Sequence, residues 1–187
     1  AGANVTTGTL NTFIGGQAGD ALTTGDSNVA IGYQALSADT LGARSVAIGR
    51  DALKVQNFTT STNTFNVAVG DRAGEAVTTG VENTIVGALA GDALTDADFN
   101  TAVGQGALST DTLGSKSTAI GQNALSAQNF TTATDSLNTA VGFRAGFAVT
   151  TAVHNTLIGG QAGDALTQGA RNTAVGVAAL TNETLGQ

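Results

Sequence analysis

The sequence predicts an all-β protein, a parallel β-solenoid of ten coils, and three observations carry that prediction. First, one frame returns ten times: Asn/Ser, Thr/Val, an apolar residue, Ile/Val, Gly, two variable residues, Ala, beginning with Asn11–Ala18. Second, the returns are spaced 17, 17, 21, 17, 17, 17, 21, 17 and 17 residues apart. A fixed period of this size marks stacked supersecondary units that cannot bury a core singly. Third, the frame opens with alternating β-branched residues and closes its first half on a glycine, from Gly15 through Gly176. That is strand followed by turn, with the side-chain period of two that strands impose.

Composition agrees. The chain has 187 residues, 41% hydrophobic and 11% charged, with 26 Gly and no Pro, Cys, Met or Trp. It is too apolar for a charge-rich disordered chain. No apolar run approaches the roughly 18 residues of a membrane helix. A net charge of -7 and the lack of any basic block speak against nucleic-acid binding. Without cysteine there are neither disulfides nor thiolate metal ligands.

Taken in order, residues 1–10 are a polar lead-in, and 11–187 form one repeat domain with no composition shift to mark a boundary. The paired 21-residue spacings impose a second period of 72 residues, giving units 11–82, 83–154 and a partial 155–187. Counting the Asn or Ser as position 1, positions 2 and 4 share one strand face. Position 3 faces the other way and is Ala in seven coils, with Phe13, Ile85 and Leu157 in the remaining three. A strand apolar on both faces is buried on both, as in parallel sheets. We expect position 4 (Ile31, Val103) to face the roll interior and position 3 to form an outward stripe.

The second half of each coil comes in two kinds. One reads Ala-Gly-Asp/Glu-Ala-Leu/Val-Thr, as at Ala18–Thr23; the other has Leu at position 9 and Leu or Phe at position 14, as at Leu36 and Leu41. Small and large residues at matched levels can interdigitate. The kinds follow one another in pairs, which the sequence leaves without a reason.

The strand residues Asn28-Val-Ala-Ile-Gly32, Ser45-Val-Ala-Ile-Gly49 and Ser117-Thr-Ala-Ile-Gly121 carry a resemblance. They are similar to the YadA-like head repeats of trimeric autotransporter adhesins, over residues 11 to 187. The Asn-Thr-Ala-Val-Gly forms at Asn100 and Asn172 also resemble repeats of phage tail fibres. The resemblance implies a left-handed parallel β-roll, a homotrimer, and display outside the cell on a bacterial surface or, alternatively, on a virion tail fibre. An outward position 3 stripe supports the trimer separately, because contiguous exposed apolar residues mark interfaces. Phe13, Ile85 and Leu157 are then the candidate contacts at the trimer axis.

Catalytic groups are not assembled in the pattern. The single histidine, His154, stands where other coils have Ser27, Glu82 or Arg171. A catalytic histidine needs oriented partners, and a solvated loop residue is the simpler reading. The acids Asp20, Glu75, Asp92 and Asp164 recur as a ladder, but hard-cation sites need several converging oxygens. No enzyme activity, cofactor or metal is therefore expected. The Asn row at position 1 reads as turn capping, and the Thr row at position 13 as a structural ladder, with an ice-binding solenoid the remote alternative.

The two 21-residue coils are the best candidates for binding, since functional residues gather on loops held by a rigid scaffold. Phe58 and Phe130 fall at a core position. The residues after them are the expected exposed binding loops: Thr59, Thr60, Ser61, Thr62, Asn63 and Thr64, and Thr131, Thr132, Ala133, Thr134, Asp135 and Ser136. The expected partners are other copies of the chain and an unknown surface receptor, protein or glycan, with no membrane contact by this segment. Ala1 opens the chain without Met or a signal-peptide pattern, and Leu180–Gln187 stop in register without a polar cap. Open solenoid ends expose unpaired backbone, so we expect an excised piece of a longer fibre or end-to-end stacking into a filament.

Overall fold

The structure, a computed structural model, describes residues 1–185. It is a parallel β-solenoid of about ten turns with about 17 residues per turn and, among the described residues, no helix. The strands in chain order are β1 (Thr12–Ile14), β2 (Val29–Ile31), β3 (Gly42–Ala43), β4 (Val46–Ile48), β5 (Thr62–Asn63), β6 (Val67–Val69) and β7 (Thr84–Val86). They continue with β8 (Thr101–Val103), β9 (Gly114–Ser115), β10 (Thr118–Ile120), β11 (Thr134–Asp135), β12 (Thr139–Val141), β13 (Thr156–Ile158) and β14 (Thr173–Val175).

Positions 2 to 4 of every coil make one ten-stranded parallel sheet, in the order β1-β2-β4-β6-β7-β8-β10-β12-β13-β14. Its register never shifts. Val46 faces Val67 across the first 21-residue coil and Thr118 faces Thr139 across the second, so the four extra residues are absorbed elsewhere. The long coils there add β5 and β11, which pair with β3 and β9 of the coil before.

The turns rest on the left-handed backbone region. Positions 7 and 9 and the last position of a coil (17, or 21 in the long coils) have positive φ: in the second coil Gln34 at 56°, Leu36 at 51° and Arg44 at 65°. Non-glycine residues held there cost about 1–3 kcal/mol each, and β-branched ones more. Although Val, Ile and Thr abound in this chain, none stands at any of these three positions. That exclusion is a sequence signal of the turns.

The strand alternation is as expected, but its sense is reversed. Position 3 points inward: Ala30, Ala102, Ile85 and Leu157 are fully buried, and Phe13 packs, half-buried, against the same core. Position 4 points outward, with Ile14 59% and Val175 67% exposed. Phe13, Ile85 and Leu157 therefore fill the roll and do not line a trimer axis. The physical reason is thickness. The interior is a narrow slot between the sheet and a wall carrying the position 8 alanines, so the inner row must mostly be Ala.

That geometry also accounts for the pairing of coil types. A large position 3 residue fits only where position 9 is glycine in its own coil and in the coil before. A Cβ added at Gly74 or Gly91 would stand 3.0 Å or 3.4 Å from Ile85 Cδ1. Cβ atoms at Gly146 and Gly163 would stand 2.9 Å and 2.8 Å from the Leu157 side chain. Around Phe13 the pair is Gly2 and Gly19. Elsewhere Leu36, Leu53, Leu108 and Leu125 at position 9 fill the slot opposite Ala. Close packing forbids the other combinations.

Gly2 belongs to this scheme because residues 1–10 run beside the first coil as most of a further turn. The Gly2 N–H donates to the Ala18 carbonyl at 2.8 Å, and that of Thr6 to the Thr23 carbonyl at 2.9 Å. At the other end Thr167 N–H donates to the Thr184 carbonyl at 2.7 Å. Gly186 and Gln187, on which the expectation of a continuing coil partly falls, lie outside the described residues.

The Asn row is a buried ladder. Asn100 Nδ2 donates to the Gly114 carbonyl at 2.9 Å, and its Oδ1 accepts the Ser117 N–H at 2.9 Å in the next coil. Asn28 does the same with Gly42 and Ser45. Each amide thus ties a turn to its own strand and to the neighbouring coil. Asn100→Ala strands both backbone groups in the interior, where each unpaired group costs about 1–3 kcal/mol. Denaturant unfolding of this variant is expected to show a loss of about 2–4 kcal/mol, and a loss below about 0.5 kcal/mol would contradict a stabilising ladder.

Candidate functional site

The 21-residue coils break the ladder and build on the break. Ser45 and Ser117 replace Asn at position 1, leaving space that a glutamine fills. Gln56 is fully buried and its Nε2 donates to Asp39 Oδ2 at 2.6 Å and to Ser45 Oγ at 2.8 Å, while its Oε1 accepts from Asn66 Nδ2 at 2.9 Å. Asp39, also fully buried, takes the N–H groups of Gly42 and Phe58 at 3.0 Å and 3.1 Å. Its side chain thus accepts from three donors, as a buried polar group requires. Gln128, Asp111 and Ser117 repeat the cluster in the second long coil. Phe58 and Phe130 are buried beside it, 7% and 6% exposed, as their position suggests.

This anchored base positions the candidate loops. Thr59, Thr60 and Ser61 are exposed, as are Thr131, Thr132 and Ala133. Thr62 and Asn63 pair with β3, and Thr134 and Asp135 with β9. Two expected loop residues are not exposed. Thr64 and Ser136 are fully buried, where their hydroxyls meet those of Ser45, at 2.5 Å, and of Ser117. Strand alternation turns them inward, because they follow the exposed Asn63 and Asp135.

Where the two-stranded patch ends, the first long coil leaves a cleft of about 200 Å³ lined by Thr9, Leu10, Thr24, Gly25, Asp26, Ser27, Ala43, Arg44, Ser61 and Asn63. Of these the sequence singled out only Ser61 and Asn63. Asp26 accepts the Thr9 N–H at 2.6 Å and the Thr9 hydroxyl at 3.0 Å. These bonds hold its carboxyl below the ordinary carboxylate range. The Arg44 guanidinium lies 5.5 Å from the Phe65 ring centre, a cation–π contact that orients it. The signal that could have found the cleft is the row at positions 16 and 17, which varies from coil to coil while the core does not.

The other candidates are accounted for locally. His154 is exposed at position 17. The position 10 acids have separate surroundings. Asp20 is 3.6 Å from the N-terminus, Glu75 pairs with Arg72, and Asp164 accepts the Thr181 hydroxyl at 2.5 Å. Burial pushes the Asp92 carboxyl up. Among the described residues no three acids or histidines converge as metal ligands would. In the Thr row, the hydroxyls of Thr23, Thr95, Thr150 and Thr167 donate to the carbonyl of the next coil at 2.8–3.2 Å.

The remaining feature is the outer face of the main sheet. Positions 2 and 4 present Val29 and Ile31, Val46 and Ile48, Val67 and Val69 in successive coils, half-exposed and uncovered among the described residues. Thr alternates with Val or Ile in the later coils, and Tyr33 and Phe143 flank the face at position 6.

These features define a class, a parallel β-solenoid whose repeats are tied by a buried Asn ladder. Comparison with protein-family models, with curated proteins and with solved structures finds no match to this chain.

Proposed function

We propose that the chain is a non-enzymatic, structural and adhesive segment of a trimeric surface fibre that attaches a bacterial cell to a host cell or surface. The observation that supports this reading is the outer apolar face of the ten-stranded sheet. At roughly 4.8 Å per strand it extends on the order of 40 Å, beyond the scattered apolar residues normal for a surface. Three copies turned about a common axis would bury these faces against one another at positions 2 and 4. This trimer uses the face opposite to the one expected from the sequence.

Sedimentation equilibrium is expected to give a trimer. Val103→Asp puts a charge in the middle of the outer face and is expected to yield a folded monomer with unchanged far-UV dichroism. A wild-type chain that stays monomeric at high concentration would sink the trimer.

A second reading, a phage tail-fibre shaft or mechanical spacer, is favoured by the near-identity of the coils, since Ile14–Thr23 and Ile158–Thr167 have the same sequence. Glycan arrays and cell-binding assays separate the two: a spacer binds nothing, an adhesive segment retains a receptor.

A further inference from the structure

We infer that the cleft over the first long coil binds a hydroxyl-rich sugar carrying a carboxylate, of the uronate class. The inference rests on the adhesive reading for its biological sense. The cleft itself is built by one chain.

Its lining supplies the recognition chemistry for such a ring. Sugar hydroxyls donate and accept at once, so a sugar site needs both kinds of group converging. Ser61, Thr24 and Ser27 offer hydroxyls, Asn63 an amide, and Asp26 a carboxylate that stays charged. Among the described residues, no side chain hydrogen-bonds to the side chains of Ser61, Asn63, Thr24 or Ser27. Arg44 is the cation of the cleft. In a chain of net charge -7 it takes no part in the ion pairs among the described residues, which use Arg50, Arg72, Lys54, Lys116 and the N-terminus. A guanidinium set 5.5 Å over a ring centre and, among the described residues, without a carboxylate partner suits a carboxylate from outside, taken through two parallel N–H bonds.

The chain contains its own comparison. Seventy-two residues on, the equivalent place has Lys116 for Arg44, Asp135 for Asn63, Ala133 for Ser61, Phe99 for Ser27 and Val81 for Thr9. There Lys116 Nζ is already paired with Asp135 Oδ2 at 2.5 Å. The second copy is thus closed by an internal ion pair and lacks the hydroxyls of Thr9, Thr24, Ser27 and Ser61, while Ser115, in the place of Ala43, brings one that is taken up by the Asp98 N–H at 3.0 Å. The repeat cores are alike, so this difference belongs to the surface and not to the fold.

The test titrates the full chain with glucuronate, glucose and sodium sulfate, followed by calorimetry and by amide shifts. Glucuronate is expected to bind saturably, with shifts centred on residues 9–63, and glucose about tenfold or more weakly, as loss of one charge-assisted contact implies. Arg44→Gln, and Asn63→Asp, which offers Arg44 the internal partner that Lys116 has, are each expected to weaken glucuronate about tenfold or more. Lys116→Gln should leave binding unchanged. The inference is overturned if glucuronate shows no saturable binding, if sulfate binds as tightly, or if Lys116→Gln costs as much as Arg44→Gln. A trimer that ignores glucuronate refutes this inference alone. A monomer that binds it refutes only the trimer.

Discussion

Replacing Ala102 by aspartate is expected to destroy the cooperative fold, whereas the same change one residue on, at Val103, should leave the roll standing. Ala102 is fully buried in β8, between Ile85 on one neighbouring strand and Ala119 on the other. A carboxylate there has neither room nor a partner. Burying an unpaired charge costs several kcal/mol or forces the structure open, against a typical total stability of about 5–15 kcal/mol. Because each coil is held only by its neighbours, damage in the sixth coil severs the stack on both sides. Far-UV dichroism and thermal melting of the two variants decide the matter. If Ala102→Asp melts like the wild type while Val103→Asp unfolds, the inner and outer faces have been assigned the wrong way round.

That pair of neighbours also shows what could and could not be read from the chain. The period, the strand at positions 2 to 4 and the glycine turn are explicit in the sequence, because each is a local, repeated constraint. Which strand face turns inward is not explicit. Alternation gives two faces and hydrophobicity normally chooses between them, but here both rows are apolar. Size decides, and size is a property of the whole coil. Ala at position 3 is inward because the slot is thin; Ile and Val at position 4 are outward although they are the more apolar. The clue lay in the coupling of distant positions, since Ile85 and Leu157 occur only over paired glycines at position 9. The site was legible to a lesser degree. Ser61 and Asn63 could be picked out because an insertion must bulge. Arg44 and Asp26 could not, because they lie in coils of ordinary length and reach the cleft only through stacking. The inward turn of Thr64 and Ser136 follows from the pairs β3–β5 and β9–β11, which no local pattern announces.

The glycine row at position 5 carries the other large expected effect. Gly104 has φ of +131°, and a Cβ built on it would stand 2.5 Å from the Gly121 carbonyl oxygen and 2.6 Å from its carbon. The same approach repeats along the stack, where a Cβ on Gly87 would stand 2.6 Å from the Gly104 carbonyl carbon. Backbone lies directly against backbone, so no side-chain rearrangement can make space. The conformation is itself one that only glycine adopts readily, worth about 1–3 kcal/mol of strain for another residue. The Gly104 N–H also donates to the Val86 carbonyl at 2.7 Å, so moving the residue away breaks the ladder below while relieving the clash above. Gly104→Ala is therefore expected to cost about 3 kcal/mol or more, as overpacking and strain add. By contrast, Gly160→Ala, at position 6, meets nothing within 4 Å of its added Cβ and should be close to neutral. Chemical denaturation of the two variants side by side checks the contrast. Equal stabilities would mean that the coils do not stack through glycine backbone at position 5.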